Sequence, residues 1–387
     1  MKIGLMGFDF FSPNKGCEAL TYSFINLLLE CCEEDIEEIV NFSYGDFGMF
    51  PKEYPHIKFT IRRPHLKKLT DWGKMEKEMS RLDAIFDVTF GDGFSDIYGK
   101  VWNATTDIAK ELAIRSKTPL VLLPQTYGPF KERFLRKWAI SIINRSSLVY
   151  SRDTESALEY NLICKDKIKV LTDMAFALPY NSRQYAINCK NIKIGINVSS
   201  LLFDDCVLQS HKYEMKVNYK DYIVSLMNML INMRDYCIYL IPHVIDKNNY
   251  KSPENDVRVC GEIKKIFPDD SVIIAPEFDT PIEAKSYIAN MDVFIGARMH
   301  ATIGAVSAGI ATIPFAYSKK FESMFGNLNY HYVLDGRKLN TEEAVAKTMM
   351  WIQNKEKLQK DAIKARDATN EKLDILKKDI KKLLEKR

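Results

Sequence analysis

The sequence has no Cys-x-x-Cys pair, although it contains eight cysteines in 387 residues. Their scattered positions fit neither a zinc site nor a disulfide framework. Apolar runs long enough to span a membrane are also missing. The apolar start of the chain meets Asp9, Pro13 and Lys15 before the core of a signal peptide can form. We therefore expect reduced thiols and a cytoplasmic location.

A large excess of one charge is absent as well, because the formal net charge is +4. Residues 355–387 carry twelve Lys and Arg against seven Asp and Glu, a surplus of +5, so the rest of the chain is close to neutral. We expect no nucleic-acid partner. Charges of both signs alternate along this tail at helical spacing, which favours a solvated helix face. Peripheral contact between the basic tail and an anionic membrane, at its inner face, is the alternative.

Short apolar, β-branched runs alternate with helix-length amphipathic segments along most of the chain. This alternation indicates parallel strands joined by crossover helices, and therefore an α/β fold. A polar connection after Leu178 separates two such series. We predict two Rossmann-like domains facing a cleft, over residues 1–182 and 190–350, with the ligand in the cleft. Residues 351–387 are predicted to form a helical basic tail that can cross back to the first domain.

Polar residues and glycines lie where predicted strands of the first half become helices, and ligands bind at such places in parallel sheets. Asn14 and Gly16 form a turn, and Glu18 follows in the first helical turn. Glu18 is either a helix-capping residue or a carboxylate that binds or deprotonates a hydroxyl. Gly91 and Gly93 allow backbone amides to approach a ligand or the next helix closely.

Two further strand ends of the first half carry polar side chains. One is centred on Gln125, and the other brings Arg152 and Asp153 next to each other. An arginine followed by an aspartate is commonly a local ion pair that caps a helix. Binding of an anionic ligand by Arg152 is the other interpretation, and the sequence leaves both open.

The second half has its own candidate residues at strand ends. His243 follows one apolar run and is either a structural histidine with its hydrogen bonds satisfied or a ligand-binding residue. Asp256 lies at the start of the next predicted helix, where it either caps the helix or contacts a ligand. Arg298, Met299 and His300 follow another run, and in extended backbone Arg298 and His300 would project to the same side. Because buried arginines need a partner, Arg298 meets either an internal carboxylate or an anionic ligand.

Taken together, these motifs resemble those of the polysaccharide pyruvyl transferase family. The order and spacing that carry the resemblance extend over nearly the whole chain, through N-K-G-x-E-A at residues 14–19, the turn at Gly91, Q-T-x-G-P-F at 125–130, S-R-D-x-x-S at 151–156, His243 with Asn255 and Asp256, and G-x-R-x-H-A at 296–301. The chain departs from the family pattern at three positions. Cys17 replaces an aspartate, Asp92 interrupts a run of glycines, and Met174 follows the aspartate of a D-P-A-F motif.

The resemblance implies a fold similar to the metal-independent, two-domain GT-B glycosyltransferases, with the acceptor on the first domain and the donor on the second. It implies phosphoenolpyruvate as the donor, no cofactor or metal, and a sugar in a polysaccharide or lipid-linked glycan precursor as the acceptor. Two hydroxyls of that sugar would receive a pyruvate ketal in exopolysaccharide or capsule biosynthesis. The donor-binding residues of the family correspond to His300 and Arg152.

The chemistry of an enol phosphate suggests a role for each candidate residue. A histidine titrates near neutral pH, so His300 is predicted to be the general acid that protonates C3. Arg152 and Arg298 are predicted to bind the carboxylate and the phosphate, because a guanidinium contacts two oxygens at once. Glu18 is the candidate base. The remaining predicted substrate-binding residues are Met299, His243, Gln125, Gly91, Gly93, Asn14 and Asp256.

Two other functions fit the same sequence. A GT-B glycosyltransferase with a nucleotide-sugar donor would also place basic groups in the second domain, because a fold does not determine the donor. A non-catalytic glycan-binding protein is the alternative from another class. The joint presence of His300, Arg298, Arg152 and Glu18 argues against this last possibility.

Overall fold

The computed structural model describes residues 1–32, 35–42, 56–63, 69–204 and 214–385. The chain divides into two compact units. Unit 1 comprises Met1–Ser12, Leu20–Ala177 and Glu371–Arg387, and unit 2 comprises Pro13–Ala19 and Leu178–Asn370. The short segment Pro13–Ala19 thus groups with unit 2, although the sequence places it in the first domain.

Unit 1 contains a parallel sheet flanked by helices. Within the described ranges its strands follow the order β3-β2-β1-β4-β5-β6-β7. Successive elements are β1 Lys2–Met6, α1 Lys15–Cys32, β2 Glu38–Phe42, β3 Lys58–Arg62, α2 Leu69–Met79, β4 Ala84–Asp87, α3 Lys100–Arg115, β5 Leu120–Gln125, α4 Arg133–Arg145, β6 Leu148–Ser151, α5 Thr154–Cys164 and β7 Lys169–Val170. The first turn of α1 belongs to unit 2.

Unit 2 repeats this plan with a second parallel sheet, in the described order β10-β9-β8-β11-β12-β13. Its elements are β8 Ile192–Asn197, α6 Ser200–Phe203, α7 Tyr219–Met233, β9 Tyr236–Leu240, α8 Asp256–Ile266, β10 Val272–Ile274, α9 Pro281–Ile288, β11 Val293–Gly296, α10 Met299–Ser307, β12 Ala311–Ala316, α11 Lys319–Gly326, β13 Leu334–Asp335, α12 Thr341–Gln353 and α13 Lys355–Leu384.

Burial explains why the central strands are continuous apolar runs. All residues of β4, β5, β11 and β12 are buried, as expected for parallel strands covered on both faces by helices. Local signals determine where the helices begin. Helix α9, for example, starts with a capping box in which Thr280 and Glu283 satisfy each other's backbone amides, and Pro281 occupies its first position.

Most of the predicted tail forms one helix, α13, that contributes to both units, whereas residues 351–353 end α12. Residues up to Asn370 group with unit 2, and residues from Glu371 onward group with unit 1. In unit 1 its apolar side chains Leu373, Leu376 and Ile380 are buried. Asp379 accepts a hydrogen bond from the Tyr150 hydroxyl at 2.8 Å. The apolar face of the tail is therefore occupied by the protein itself. No helix of the described residues is long and apolar enough to cross a bilayer.

The expectation of reduced thiols throughout is wrong for one pair, because Cys189 and Cys237 form a disulfide. Their Cα atoms are 6.9 Å apart although 48 residues separate them in sequence. The neighbouring strands β8 and β9 bring them together, since Cys237 pairs with Lys193 in the sheet and Cys189 lies four residues before Lys193. Sequence spacing shows no sign of this contact.

Candidate active site

The segment before α1 is held in unit 2 by a short antiparallel ladder. Asn14 forms a β-bridge with Val244. The Lys15 amide donates to the His243 carbonyl at 3.2 Å, and the Ile245 amide donates to the Pro13 carbonyl at 2.8 Å. The Asn14 side chain accepts a hydrogen bond from the Gly16 amide at 2.9 Å, as expected at a turn. These bonds place the N-terminus of α1 beside the loop that carries His243.

His300 lies directly on this turn. A Cβ atom on Gly16 would be 2.4 Å from Nδ1 of His300 and 2.9 Å from its Cβ, so a larger residue than glycine would clash with the imidazole. Helix α10 begins at Met299, with Arg298 as its N-cap. Arg298 is extended as expected, but Met299 and His300 are helical, so the expected extended backbone over residues 298–300 is wrong beyond Arg298.

His243 is the second imidazole of this site. It is 5 % exposed, and within the described ranges neither of its ring nitrogens has a hydrogen-bond partner. Burial lowers the pKa of His243 to about 3, and the nearby His300, Arg298 and Lys15 act in the same direction, with Asp256 opposing them. His243 is therefore neutral at physiological pH. It offers one donor and one acceptor nitrogen in a buried position.

The Asp256 carboxylate binds both the loop that carries His243 and the guanidinium of Arg298. Its carboxylate accepts from the backbone amides of His243 at 3.2 Å and Val244 at 3.0 Å, and from that of Ser200 at 3.1 Å. The Arg298 guanidinium donates to the same carboxylate through Nη2 at 2.8 Å. Arg298 thus has an internal acidic partner, one of the two possibilities that the sequence left open.

Arg298 keeps part of its donor capacity. Its Nε and Nη2 bind Asp256, Ser200 and the Glu254 carbonyl, whereas Nη1 has no hydrogen bond among the described residues. Burial lowers the pKa of Arg298, but the Asp256 carboxylate more than offsets it, so the pKa lies above its ordinary value. The site therefore contains a permanent positive charge held in a fixed orientation.

Lys15 is a residue of this site that the sequence analysis did not single out. Its side chain is 8 % exposed, and its Nζ lies 2.7 Å from the Glu18 carboxylate and 2.9 Å from the Asp279 carbonyl. Glu18 itself is 2 % exposed. The i, i+3 spacing of Lys15 and Glu18 at a helix start was the signal for this pair. Glu18 is thus a buried carboxylate with a cationic neighbour.

In unit 1, the glycine turn after β4 has unusual backbone geometry. Thr89, Phe90 and Gly91 all have positive φ angles, of 39°, 55° and 89°. The Asp87 carboxylate supports the turn by accepting from the Thr89 hydroxyl at 2.7 Å. A Cβ on Gly91 would be 2.9 Å from Nη1 of Arg152, and one on Gly93 would be 2.7 Å from the Thr89 carbonyl. Both glycines are therefore needed for close packing.

Arg152 sits beside this turn with a partner that is distant in sequence. Its Nη1 donates to Asp173 at 2.8 Å and its Nε to the Thr126 hydroxyl at 3.0 Å. The local Arg152–Asp153 pair considered from the sequence does not form. Asp153 instead caps α5 by accepting from the Ser156 amide. Nη2 of Arg152 has no hydrogen bond within the described ranges.

Burial lowers the pKa of Arg152, but the carboxylates of Asp173, Asp92 and Asp153 more than offset this effect and raise the pKa above its ordinary value.

Gln125 lies in the interior of unit 1. It is fully buried, and its amide donates to the Asp87 carbonyl and carboxylate, each at 3.3 Å. In this conformation Gln125 supports Asp87 and, through it, the glycine turn.

The structure divides the predicted site residues between the two units. Asn14, Glu18, His243, Asp256, Arg298 and His300 belong to unit 2, together with Met299, which is half-buried at the start of α10. Gly91, Gly93, Gln125 and Arg152 belong to unit 1. In the part of the chain that the structure describes, no group of three or more His, Cys, Asp or Glu side chains is arranged to hold a metal ion.

Comparison with protein families decides the classification. A family model described as polysaccharide pyruvyl transferase matches residues 14–319, which include every candidate residue above. The chain belongs to the polysaccharide pyruvyl transferase family. This family member is accordingly a transferase enzyme. A search of curated proteins finds no significant match.

Solved structures resemble this pyruvyl transferase family member in fold. The Neisseria meningitidis UDP-GlcNAc 2-epimerase, bound to UDP-GlcNAc, is 12 % identical with a TM-score of 0.60 over 100 % of both chains. A Rickettsia africae glycosyltransferase is also 12 % identical, with a TM-score of 0.60 over 99 % of this chain and 98 % of that one. A putative epimerase of the same kind from Listeria monocytogenes, 12 % identical, has a TM-score of 0.59 over 95 % and 94 %. The prediction of two Rossmann-like domains similar to the GT-B fold is confirmed.

Proposed function

We propose that this protein transfers the enolpyruvyl group of phosphoenolpyruvate to two hydroxyls of one sugar, forming a pyruvate ketal and releasing phosphate. The family membership supports pyruvyl transfer to a polysaccharide. The observation that carries the donor assignment is the pair of imidazoles in unit 2, with His300 resting on Gly16 and His243 buried, neutral and without a side-chain hydrogen bond among the described residues.

His300 is the proposed general acid. Protonation of C3 turns the CH₂ of the enol into a methyl group and makes C2 electrophilic, so that a sugar hydroxyl adds there. Phosphate then leaves from the tetrahedral intermediate, and the second hydroxyl adds to the resulting oxocarbenium-like carbon. One hydroxyl proton balances the proton at C3, and the other leaves with phosphate. The neutral His243 can accept or donate a hydrogen bond to the reacting group, but it does not act as the acid.

The donor carries a carboxylate and a phosphate, and guanidinium groups suit both. In unit 2, Arg298 has Nη1 left for such a contact while Asp256 fixes its orientation. Arg152 is assigned to the donor by the resemblance, and its Nη2 has no hydrogen bond among the described residues. Both arginines are held by aspartates, so little conformational freedom is lost when an anion binds.

Glu18 is the proposed base for the attacking hydroxyl. The Lys15 ammonium, 2.7 Å away, provides a positive charge beside the buried carboxylate. Asn14 and Met299 adjoin the same segment, at the start of α1 and of α10, and are proposed to line the substrate site. The acceptor is proposed to be a sugar of a polysaccharide or lipid-linked precursor. A cytoplasmic location, absence of a cofactor and membrane contact through the tail stay predictions.

The test incubates purified protein with phosphoenolpyruvate and candidate glycans, and measures phosphate release together with pyruvate addition by mass spectrometry. His300→Ala should lower turnover by about 10²-fold or more with an unchanged melting temperature. His331→Ala is the matched control, because His331 is an exposed histidine of the same unit. Equal turnover of wild type and His300→Ala would contradict the assignment.

A binding assay separates this function from nucleotide-sugar transfer. Phosphoenolpyruvate should raise the melting temperature, because a ligand that binds the folded state stabilises it in proportion to its saturation. UDP, GDP and UDP-GlcNAc should have no such effect. Stabilisation by a nucleotide without stabilisation by phosphoenolpyruvate would favour a glycosyltransferase instead. Glycan binding with no turnover of any donor would favour the non-catalytic alternative.

A further inference from the structure

Unit 1 exposes a group of large apolar side chains at the N-terminal ends of α3 and α4. The exposed fractions are 45 % for Ile97, 56 % for Tyr98, 82 % for Val101 and 70 % for Phe134. We call these four residues the apolar patch. Contiguous apolar side chains on a surface usually mark a contact with another molecule or with a membrane. The function proposed above makes no use of them.

The two segments that carry the apolar patch are joined to each other. The Asp96 carboxylate accepts hydrogen bonds from the backbone amides of Lys131 at 2.6 Å and Glu132 at 2.9 Å. The Lys100 ammonium lies 2.8 Å from the Glu132 carboxylate. The loop before α3 and the first turn of α4 therefore form one surface, with Tyr98 anchored through its hydroxyl to Asp92 at 3.0 Å.

This surface is basic as well as apolar. Residues 96–101 and 131–137 contain five basic side chains and two acidic ones, Asp96 and Glu132, which gives a net charge of +3. Arg136, one of the five, is paired with Glu159 at 3.1 Å. Both acidic groups are engaged within the surface by the contacts just described. Lys131, Arg133 and Lys137 are exposed around Phe134. Apolar side chains within a basic surround match the acyl region and the anionic headgroups of a bilayer.

We propose that the apolar patch docks unit 1 onto a bilayer that contains anionic phospholipids. Phe134, Tyr98, Ile97 and Val101 would insert among the headgroups, and the surrounding lysines and arginines would contact lipid phosphates. The basic tail suits this role less well, because the apolar face of α13 is buried against the protein. Its Lys377 also lies 2.9 Å from Glu30, which reduces the charge available to lipid.

The apolar patch lies at the edge of the sheet where the candidate residues of unit 1 are found. Helices α3 and α4 follow β4 and β5, so their N-terminal ends lie at the carboxyl ends of these strands. The Gly91 turn and Arg152 follow strands of the same parallel sheet at this edge. A unit 1 docked on a bilayer would have its candidate residues near the lipid surface, so we extend the proposal to an acceptor glycan that is carried on lipid. This extension rests on the proposed function.

Vesicle sedimentation tests the docking without donor or acceptor, so its result is independent of the enzymatic assignment. Wild-type protein should bind vesicles of phosphatidylcholine and phosphatidylglycerol in equal parts, and bind phosphatidylcholine alone weakly. Added salt should weaken the binding because it screens the lysines and arginines. Val101→Ser with Phe134→Ser should lower the partition coefficient by about tenfold or more, since each apolar side chain loses its buried state in lipid.

Two controls distinguish the apolar patch from other surfaces. Leu162→Ser removes a leucine that is 89 % exposed in the last turn of α5 and is not one of the four patch residues, and it should bind vesicles like wild type. Lys378→Glu with Lys381→Glu alters exposed positions of the tail without touching its buried face. Undiminished vesicle binding by the Val101/Phe134 variant would overturn the proposal. Loss of vesicle binding by the Lys378/Lys381 variant, with normal binding by the Val101/Phe134 variant, would also overturn the proposal.

Self-association is the remaining outcome to measure. If wild-type protein fails to bind either vesicle type, and the Val101/Phe134 variant dissociates an oligomer in analytical ultracentrifugation, the apolar patch is an interface between copies and the docking proposal is wrong. Transfer to a soluble glycan should be unchanged in the Val101/Phe134 variant. Failure of pyruvyl transfer in wild type, with vesicle binding intact, would remove the enzymatic proposal and leave the docking in place.

Discussion

The imidazole of His300 lies against the backbone of Gly16, so close that a Cβ on residue 16 would be 2.4 Å from Nδ1. The two residues are 284 positions apart in the chain, yet both belong to unit 2. The contact depends on the ladder between residues 13–15 and 243–245, which brings the start of α1 to the histidines. It defines the surroundings of the proposed general acid.

Replacing Gly16 with alanine should therefore displace His300. We expect kcat/KM to fall by about 10²-fold, because a small misplacement of a reacting group has a large effect on rate. The unfolding free energy should fall by about 1–3 kcal/mol from overpacking. Gly261→Ala is the matched control, since Gly261 is a helical glycine with no atom within 4 Å of the added Cβ. Similar activity in both variants would mean that the position of His300 is unimportant.

Variants of the Lys15–Glu18 pair should have separable effects on the unfolding free energy and on catalysis. Lys15→Met should lower the unfolding free energy by about 3–5 kcal/mol, because it removes the ammonium that lies 2.7 Å from the buried Glu18 carboxylate. Adding Glu18→Gln should recover much of the stability, since no uncompensated charge remains, but it should not recover phosphate release. Urea titration and a phosphate assay measure the two effects. Full turnover by Glu18→Gln alone would rule out Glu18 as the base.

Asp256 and Arg298 should behave as a coupled pair. Asp256→Asn leaves a buried guanidinium with no carboxylate partner and weakens the anchors of the His243 loop, at an expected cost of about 3–5 kcal/mol. The double variant with Arg298→Met should cost less than the sum of the two single variants, by about 1–3 kcal/mol. Chemical denaturation of all four proteins measures this coupling. Additive costs would show that the 2.8 Å contact contributes little to stability.

Acid should destabilise the protein through His243. Its pKa is about 6.5 when unfolded and is lowered to about 3 by burial, so folding favours the neutral form. The stability from this group is fully present above the unfolded pKa and is lost as the pH falls through the window toward the folded pKa. Between about pH 7 and about pH 4.5, wild type should lose about 2 kcal/mol more than His243→Gln. Equal pH dependence in urea titrations would show that His243 is protonated as easily in the folded state.

Several features of the fold were predictable from local sequence. The alternation of apolar runs with amphipathic segments predicted both sheets, and helices such as α7, Tyr219–Met233, lie between the apolar runs as expected. The start of α10 was less predictable, because Arg298 and Met299 carry no strong capping signal, and the helix includes Met299 and His300, for which extended backbone was expected. Strand-end polar residues identified the candidate site for the same reason that parallel sheets bind ligands at their carboxyl ends.

Charge partners could not be predicted in the same way. Asp256 is 42 residues from Arg298, and Asp173 is 21 residues from Arg152. An ion pair between distant residues leaves no periodic pattern in a sequence. The sequence therefore allowed Arg298 either an internal carboxylate partner or an anionic ligand, and it allowed Arg152 a local pair with Asp153. The Cys189–Cys237 bond was missed because strand order, not spacing, brings its two ends together.

The sequence by itself determined the fold class, the two series of strands and helices, and the family motifs, because each depends on residue types at short and regular spacing. Tertiary structure alone decided that residues 13–19 belong with the histidines, that both proposed anion-binding arginines are held by carboxylates, and that Lys15 joins the site. These features arise when strand ends and helix starts from distant parts of the chain pack together. An unpaired charge is costly to bury, so each of these buried charges lies beside a partner of opposite sign.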